Sequence, residues 1–267
     1  MSIAGSDPSG GAGIQADLKT FAALGCYGQA AVTALTVQNT LRVSRSVNID
    51  ADLVQEQVET VWKDWLPDAV KIGITGTADV VFSLAKLINA YTPQFVVLDP
   101  VMISSSGHRL MDKEAEGALK SKLMPLCSLI TPNIPEALSL LKLSPDTTTA
   151  PAMLAKFLSE ELGGISVLVK GGHADGAPTD YLYTEGKIQA FTSQRITSRN
   201  THGTGCTLSS AIAAYVARGA TLSKAVQLAK AFLTQAIAEG ANIEAGHGVG
   251  PLCHFFNPEK AVIKLNK

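Results

Sequence analysis

Gly203, Thr204 and Gly205 form a glycine turn at the start of a predicted helix over residues 203–218. A glycine turn that opens a helix aims free backbone N–H groups at one point, and the helix dipole adds positive potential there. Such a turn could hold the charge on a phosphoryl group during its transfer. An ordinary glycine-rich helix start is the alternative, and a motif this short does not decide between the two.

Cys206 stands in the first turn of the same predicted helix. A thiol in that position can have a lowered pKa, whereas a free cysteine is more often a small buried hydrophobe. Both interpretations stay open at this point. The other three cysteines, Cys26, Cys127 and Cys253, form no CxxC pair and have no zinc spacing, so we expect them to be reduced thiols.

Polar side chains follow several of the predicted strands. Asp99 ends the run FVVLD, and Asn133 and Glu136 lie in TPNIPE after the next strand. Together they could hold Mg²⁺ on nucleotide phosphates, directly or through water. The alternative for Asn133 and Glu136 is helix capping at the N-cap and N3 positions, and a cap does not exclude a metal contact through water. Lys170, at the end of VLVK, could contact a phosphate, or it could be a solvated lysine.

The segment GSDPSGGAGIQAD (residues 5–17) combines two acids with four glycines. It lacks the Gly-Lys-Ser/Thr ending of a Walker A loop, and two acids make a poor phosphate cradle. We interpret it as a pocket for a hydroxylated or amino-bearing small ligand. Gln38 follows a predicted strand, and its amide offers both a donor and an acceptor, although a solvated loop glutamine is the alternative. The histidines predicted to be structural are His202, His247 and His254.

The elements that position these residues can be predicted from the pattern of apolar residues. Short apolar strands alternate with helices along the chain. The predicted strands are 30–37, 69–73, 95–100, 128–133 and 165–172. The predicted helices are 14–24, 52–66, 78–91, 113–124, 203–218 and 221–240, with a hairpin at 180–191. This order predicts a single α/β domain, in which helices cover both faces of a mostly parallel sheet. Ligands bind such sheets at the carboxyl ends of the strands, where the polar residues above are found.

Two local predictions are more specific. In the helix at 52–66, the spacing places Val54, Val58, Val61 and Trp65 on the inward face. Around residues 36–48, polar and β-branched residues mix, which indicates a small lid-like addition to the sheet.

Composition excludes several classes of function. Of the 267 residues, 46% are hydrophobic and 17% charged, and the formal net charge is −1. Neither the total charge nor any basic run favours nucleic acid or an anionic membrane. The start of the chain lacks the features of a signal peptide, and no apolar run approaches the ~20 residues that span a bilayer. We therefore expect a cytoplasmic location, and the low charged fraction leaves room for a subunit interface.

Eight segments, in order along the chain, resemble the hydroxymethylpyrimidine/phosphomethylpyrimidine kinases, the thiamine-pathway family of the ribokinase-like superfamily. The segments are AGSDPSGGAGIQADLKTFAALG, TALTVQNT, VKIG, VLDPVM, TPNIPEA, VLVKGGH, HGTGCTLSSAIAA and GHGVGPLCHFF. The resemblance runs from end to end. It implies one ribokinase-like domain over residues 1–267, a three-layer sandwich that assembles as a homodimer.

The resemblance also implies a chemistry. Members use Mg²⁺ and ATP to phosphorylate the alcohol of 4-amino-5-hydroxymethyl-2-methylpyrimidine and then the resulting monophosphate. By the family pattern, Cys206 is the catalytic base, with the turn at 203–205 as its anion hole. Asp99 and Glu136 match the metal and phosphate region, and Lys170 matches an ATP contact. Residues that match substrate-pocket positions are Gln38, Gly5, Asp7, Ala12, Asp17 and Val101.

Three departures and two alternatives accompany this resemblance. Sugar kinases of the superfamily carry Asp where this chain has Cys206, which argues against a sugar substrate. Ile74 replaces a Met found in many members, and Ser104 and Ser105 stand where members often place a basic residue. Pyridoxal kinase is the nearest alternative, since pyridoxal is also a flat heterocycle with a hydroxymethyl arm. A non-catalytic binding protein is the other, and the intact set of predicted site residues argues against it.

Overall fold

A nine-stranded sheet forms the centre of the protein, seen in a computed structural model that describes residues 1–102, 107, 110–172 and 176–261. The strand order across the sheet is β3-β2-β1-β4-β5-β6-β7-β8-β9. The strands are β1 (Ser2–Ser6), β2 (Ala30–Gln38), β3 (Val43–Asn48), β4 (Val70–Ile72), β5 (Val96–Leu98), β6 (Leu129–Ile130), β7 (Ser166–Val169), β8 (Thr179–Thr184) and β9 (Lys187–Thr192).

The middle of the sheet is parallel, and its two margins are antiparallel. Strands β2, β1, β4, β5, β6 and β7 run in the same direction, whereas β3, β8 and β9 join as antiparallel neighbours. In β5, Val96 and Leu98 pack on one helix layer and Val97 packs on the other. Burial on both faces explains why these short strands are continuously apolar.

Helices cover both faces. The helices are α1 (Gly13–Ala23), α2 (Ala51–Asp64), α3 (Ala78–Tyr91), α4 (Lys113–Ala118), α5 (Ile134–Leu140), α6 (Pro151–Glu161), α7 (Thr204–Ala217) and α8 (Leu222–Gly240). Helices α1, α7 and α8 pack on one face of the sheet, and α2 to α6 pack on the other. The predicted three-layer α/β fold is therefore confirmed. Among the described residues, no helix has both the length and the apolar character to cross a membrane.

One predicted helix changes its type along its length. The segment predicted as a helix over 113–124 is helical, but it begins as α4 and continues as a π turn at Leu119–Leu123 and a 3₁₀ turn at Met124–Leu126. Pro125 has no N–H group to donate back along the helix, so the regular bonding pattern cannot continue past it. Helix α6 was not predicted, although Pro151 at its first position is a common helix start.

The inward face of α2 is also different from its prediction. Trp62 is 3% exposed, whereas Trp65 is 55% exposed. Trp62 continues the four-residue spacing of Val54 and Val58, and its indole N–H lies 3.0 Å from the sulfur of Met1. Helix α2 ends at Asp64, so Trp65 lies in extended backbone, and its ring stacks on Tyr27 at the surface.

The lid-like addition predicted at 36–48 is the end of β2 together with β3. Strand β2 pairs with β1 up to Leu35 and with β3 from Ala34 to Gln38. The tip of this hairpin is fastened by the C-terminal segment, residues 246–251. There, the backbone N–H of Val249 donates to the carbonyl of Thr40 at 3.0 Å.

We predict that the two tryptophans differ in their contribution to stability. Trp62→Ala removes a buried ring and should lower the free energy of unfolding by about 3–5 kcal/mol. Trp65→Ala is the matched control and should lower the free energy of unfolding by about 1 kcal/mol or less, because the Trp65 ring is mostly exposed. Urea unfolding followed by circular dichroism measures both, and equal losses would contradict the assignment of the inward face.

Candidate active site

The sequence-predicted site residues meet at the carboxyl edge of the parallel strands. Asp7 follows β1, Gln38 ends β2, Asp99 follows β5, and Lys170 follows β7. An isolated parallel bridge between Asn133 and Lys170 continues the sheet past the ends of β6 and β7. Backbone pairing therefore extends to the residues that carry Asn133 and Lys170.

Helix α7 begins at this edge with the predicted glycine turn. Gly203 has φ +84°, and a Cβ atom there would lie 1.8 Å from the carbonyl oxygen of Gly11. Only glycine fits this contact, which brings the turn against the loop that follows β1. A Cβ atom on Gly205 would lie 3.2 Å from Asp99 Oδ2 and 3.3 Å from Lys170 Nζ. The first N–H groups of α7, which have no intrahelical acceptor, therefore lie between the β1 loop and the Asp99–Lys170 pair.

Asp99 and Lys170 form a mostly buried ion pair. Lys170 Nζ lies 2.6 Å from Asp99 Oδ1, and the Thr131 hydroxyl donates to the same oxygen at 3.2 Å. Burial alone would lower the pKa of Lys170, but the charges of Asp99 and Glu136 outweigh burial and raise it. Lys170 therefore stays a cation. Asp99 Oδ2 is buried and has no hydrogen-bond partner within the described part of the chain.

Glu136 forms a capping box with Asn133, which was the alternative considered for these two residues. The Asn133 side chain accepts from the N–H of Glu136, and the Glu136 side chain accepts from the N–H of Asn133, both at 2.8 Å. Burial raises the pKa of Glu136 to about 7, although the charge of Lys170 opposes the rise. Over the ranges that the structure describes, no group of three or more His, Cys, Asp or Glu side chains could hold a metal ion. The unpartnered Asp99 Oδ2 fits a Mg²⁺ ion that takes most of its ligands from nucleotide phosphates and water.

Cys206 lies in the first turn of α7, as predicted, but its thiol is not acidic. Burial raises the pKa of Cys206 to about 11, with Asp17 and Asp99 adding to the rise and Lys71 opposing it. The charge of Lys71 and a backbone hydrogen bond from Gly13 do not overcome the loss of solvent. Cys206 is therefore a neutral thiol near pH 7 in the absence of ligands.

A fully buried ion pair lies beneath this region. Lys71 Nζ, from β4, lies 2.8 and 3.0 Å from the two carboxylate oxygens of Asp17 in α1. The hydroxyls of Ser2 and Ser210 donate to the same carboxylate at 2.6 and 2.7 Å. Burial would lower the pKa of Lys71, but Asp17 outweighs it and raises that pKa. The structure thus places Asp17, predicted to contact substrate, inside the core with both oxygens bonded by the chain itself.

Asp7 forms hydrogen bonds with several residues around the predicted pocket. Its Oδ2 accepts from the N–H of Ala12 at 2.9 Å and lies 2.8 Å from His202 Nε2, while Ser9 donates two bonds to Oδ1. Burial would raise the pKa of Asp7, but the bonds from His202 and Ser9 outweigh it and lower that pKa. Gln38 Nε2 lies 3.1 Å from His202 Nε2. Asp7, Ala12 and Gln38 are therefore brought together, as predicted for a pocket.

The other predicted pocket residues lie nearby. Gly5 is in β1, where a Cβ atom would be 3.5 Å from Ile74. Val101 follows Asp99, and its N–H donates to the Asp99 carbonyl at 2.8 Å. The departure at Ser104 and Ser105 lies outside the described residues.

Sequence reasoning missed two residues of this region. Lys71 interrupts the apolar strand AVKIG, and a charged residue inside a buried strand was the signal that it needs a partner. His202 was predicted to be structural, yet it lies between Asp7 and Gln38. Its position directly before the glycine turn was the only signal in the sequence. The C-terminal segment holds it, because the N–H of His202 donates to the carbonyl of Gly250 at 3.1 Å.

Comparisons with known proteins identify the relatives. The family model described as phosphomethylpyrimidine kinase matches residues 7–253. The chain belongs to this family. It is 47% identical over 257 residues to the hydroxymethylpyrimidine/phosphomethylpyrimidine kinase of Escherichia coli (strain K12), covering 96% of each chain. The resemblance drawn from the eight segments is thereby confirmed, and the family's activity makes this chain a phosphotransferase.

Two solved structures of the superfamily are similar to this one. The phosphomethylpyrimidine kinase of Clostridium difficile 630 is 40% identical, with a TM-score of 0.78 over 88% of this chain and 97% of that chain. The pyridoxal kinase of Staphylococcus aureus, in complex with ADP, is 33% identical, with a TM-score of 0.85 over 95% of this chain and 92% of that chain. Sequence identity is higher to the pyrimidine kinase, whereas the backbone is at least as similar to the pyridoxal kinase.

The buried ion pair beneath the site leads to a stability prediction. Lys71→Met leaves the Asp17 carboxylate buried without its cation, which should lower the free energy of unfolding by about 3–5 kcal/mol. Adding Asp17→Leu removes the unpaired charge and should recover part of that loss. Urea unfolding of the single and double variants measures both effects. A single variant that costs less than about 1 kcal/mol would show that the pair does not stabilise the fold.

Proposed function

We propose that this protein transfers phosphate from ATP to the alcohol of 4-amino-5-hydroxymethyl-2-methylpyrimidine, and then to the resulting monophosphate, as a step of thiamine biosynthesis. One observation carries the proposal. The start of α7 contacts the β1 loop at Gly203 and lies against Asp99 and Lys170 at Gly205. A single turn therefore lies between a polar pocket for the acceptor and a charged site for nucleotide phosphates.

Each side of that turn has a proposed role. On the acceptor side, Gln38 reads the aminopyrimidine edge, and Gly5, Asp7, Ala12 and Val101 complete the pocket. On the nucleotide side, Lys170 contacts a phosphate. The backbone N–H groups at 203–205 stabilise the charge that develops on the transferred group. The similarity to a kinase solved with ADP supports the nucleotide assignment.

Asp99 and Glu136 would hold Mg²⁺, Asp99 through its unpartnered Oδ2 and Glu136 directly or through water. When bound, the ion neutralises charge on the phosphates. The Asp99–Lys170 pair keeps one carboxylate oxygen on the lysine, so the other remains directed toward the start of α7.

Cys206 is the proposed general base that takes the proton of the substrate alcohol. A thiol with a pKa of about 11 is mostly protonated at neutral pH, so only a small thiolate fraction can accept that proton. Lys71 is the nearby charge that favours the thiolate. Asp17 acts by holding Lys71 in place rather than by touching the substrate.

The proposal extends to the whole chain. Residues 1–267 act as one kinase domain, which the continuous nine-stranded sheet supports. A homodimer would cover the outward face of the β2–β3 hairpin, where the large side chains of Leu35, Val37 and Val47 are 43–52% exposed. Leu35 pairs with Val47 across the hairpin, so the three form one apolar patch. The cytoplasmic location stays a prediction.

The substrate assignment is tested by Gln38→Leu. Leucine leaves the polar edge of the pyrimidine without hydrogen-bond partners. Each buried polar group left unpaired costs about 1–3 kcal/mol of binding free energy, so we expect the pyrimidine dissociation constant to rise at least about tenfold. Pyridoxal lacks the amino–ring nitrogen pair and should be affected less. Calorimetry with both ligands, alongside coupled ADP-release assays on the pyrimidine, its monophosphate and pyridoxal, makes the measurement.

Gln235→Leu, at an exposed site on α8, is the control and should change neither ligand's binding. Faster turnover of pyridoxal than of either pyrimidine by the unmodified protein would favour the pyridoxal kinase alternative. Equal losses for both ligands in Gln38→Leu would show that Gln38 does not read the pyrimidine edge.

The base assignment is tested by pH dependence. Since the thiolate fraction rises toward the pKa of about 11, kcat/KM should increase with pH through the alkaline range. Cys206→Ala should lower kcat about 10²–10⁴-fold. Cys206→Asp should remove the alkaline rise, because an aspartate is already ionised well below neutrality. Alanine turnover within a few-fold of the unmodified protein would rule Cys206 out as the base.

A further inference from the structure

The amide of Gln38 lies between two hydrogen-bonding side chains of the chain itself. Its Nε2 is 3.1 Å from His202 Nε2, and its Oε1 is 3.2 Å from Thr36 Oγ1. His202 is buried next to Asp7, while Thr36 comes from the same strand as Gln38. The protonation of these two neighbours decides which end of the amide each of them can bind.

His202 must donate from Nε2. That nitrogen lies 2.8 Å from Asp7 Oδ2, and the Asp7 carboxylate already accepts from the N–H of Ala12 and from both donors of Ser9. A carboxylate with so many donors is ionised, so it has no hydrogen to offer the imidazole. The hydrogen of this contact is therefore on His202 Nε2. A nitrogen that carries its hydrogen cannot also accept one from the NH₂ group of Gln38.

Thr36 has the complementary requirement. Its hydroxyl has one hydrogen, and its oxygen lies 2.9 Å from the carbonyl oxygen of Ser6 and 3.2 Å from Gln38 Oε1. Neither of these oxygens can donate, and the single hydrogen goes to the nearer one. Toward Gln38, the Thr36 oxygen can then act only as an acceptor, so it matches an NH₂ group rather than a carbonyl.

Both neighbours are satisfied when the amide is turned over. Turning it by 180° exchanges oxygen and nitrogen with almost no change of shape. The carbonyl oxygen then accepts from His202 Nε2–H, which it shares with Asp7, and the NH₂ group donates to Thr36. Every hydrogen in the chain from Ser6 through Thr36, Gln38 and His202 to Asp7 then has an acceptor.

We propose that His202 and Thr36 are positioning residues that hold the Gln38 amide in this one orientation and so fix the order of donor and acceptor presented to the substrate. The inference rests on the proposed function, in which Gln38 reads the 4-aminopyrimidine edge. That edge has an amino donor beside a ring-nitrogen acceptor. The 4-oxo analogue, 5-hydroxymethyl-2-methylpyrimidin-4-one, has a carbonyl acceptor beside a ring N–H donor. A fixed amide pairs with one order and rejects the other, whereas a free amide turns to suit either.

The experiment measures discrimination rather than affinity. Calorimetry gives the dissociation constants of the 4-amino and 4-oxo ligands for the unmodified protein, His202→Phe and Thr36→Val. Phenylalanine keeps a flat ring beside Gly11, and valine keeps the shape of threonine. We expect the preference for the 4-amino ligand to fall about two- to tenfold in each variant, which corresponds to the loss of one neutral hydrogen bond. Thr36→Ser keeps the hydroxyl and should retain the preference, and Thr192→Val, exposed on β9, is the distant control.

The outcomes separate the possible failures. If both variants weaken the two ligands equally, the residues only shape the pocket, and the inference is overturned. If His202→Phe does not fold, Thr36→Val decides by itself. If the unmodified, folded protein binds neither pyrimidine, the proposed function fails and this inference fails with it. If it prefers the 4-amino ligand and the folded variants keep the same preference, only this inference fails.

Discussion

The ion pair between Asp17 and Lys71 joins the layers of this protein beneath its active site. Two buried charges are stable only when they are paired and their remaining hydrogen-bonding capacity is used. Here the Ser2 and Ser210 hydroxyls supply that capacity, so one carboxylate connects α1, β1, β4 and α7. Moving any of these elements would leave a charge or a hydroxyl unmatched in the core. The start of α7, on which phosphoryl transfer depends in our proposal, is therefore fixed from below by electrostatics as well as by packing.

Above that pair, the polar groups separate into two sets with different states of charge. On the proposed acceptor side, donors from the chain keep Asp7 ionised. On the proposed nucleotide side, Asp99 is paired with Lys170, and Glu136 has a pKa of about 7, so the charge of Glu136 can adjust to an arriving nucleotide. Cys206, in the first turn of α7, is a neutral thiol in the absence of ligands, so it adds no further negative charge to the proposed phosphate site.

Much of this arrangement could be predicted from the sequence, because it follows from local patterns. Strand and helix periodicity predicted the α/β layers, and the spacing of Asn133 and Glu136 offered the capping box as one of two interpretations. The glycine at 203 was visible as a turn, but its contact with Gly11 was not, because that contact joins residues far apart in the chain.

The features that sequence analysis missed depend on distant partners. The role of Lys71 depends on its ion pair with Asp17, and the role of His202 depends on its contact with Asp7. The sequence left open whether Cys206 is an acidic thiol or a buried one, and only its burial in the fold, which raises the pKa, decides between them. Trp65 shows a second limit, since a helical pattern predicts a face correctly only up to the residue where the helix ends.

The C-terminal segment, residues 246–251, affects when the pocket can form during synthesis of the protein on the ribosome. It bonds both to Thr40 at the tip of the hairpin and to His202 before α7, so it joins two parts of the pocket that lie far apart in the sequence. While the ribosome is still making the protein, β1, its glycine loop and the hairpin emerge long before this segment does. The pocket therefore lacks its final fastening until residues 246–251 have left the ribosome, and a nascent chain could not present a complete binding site to a metabolite before then.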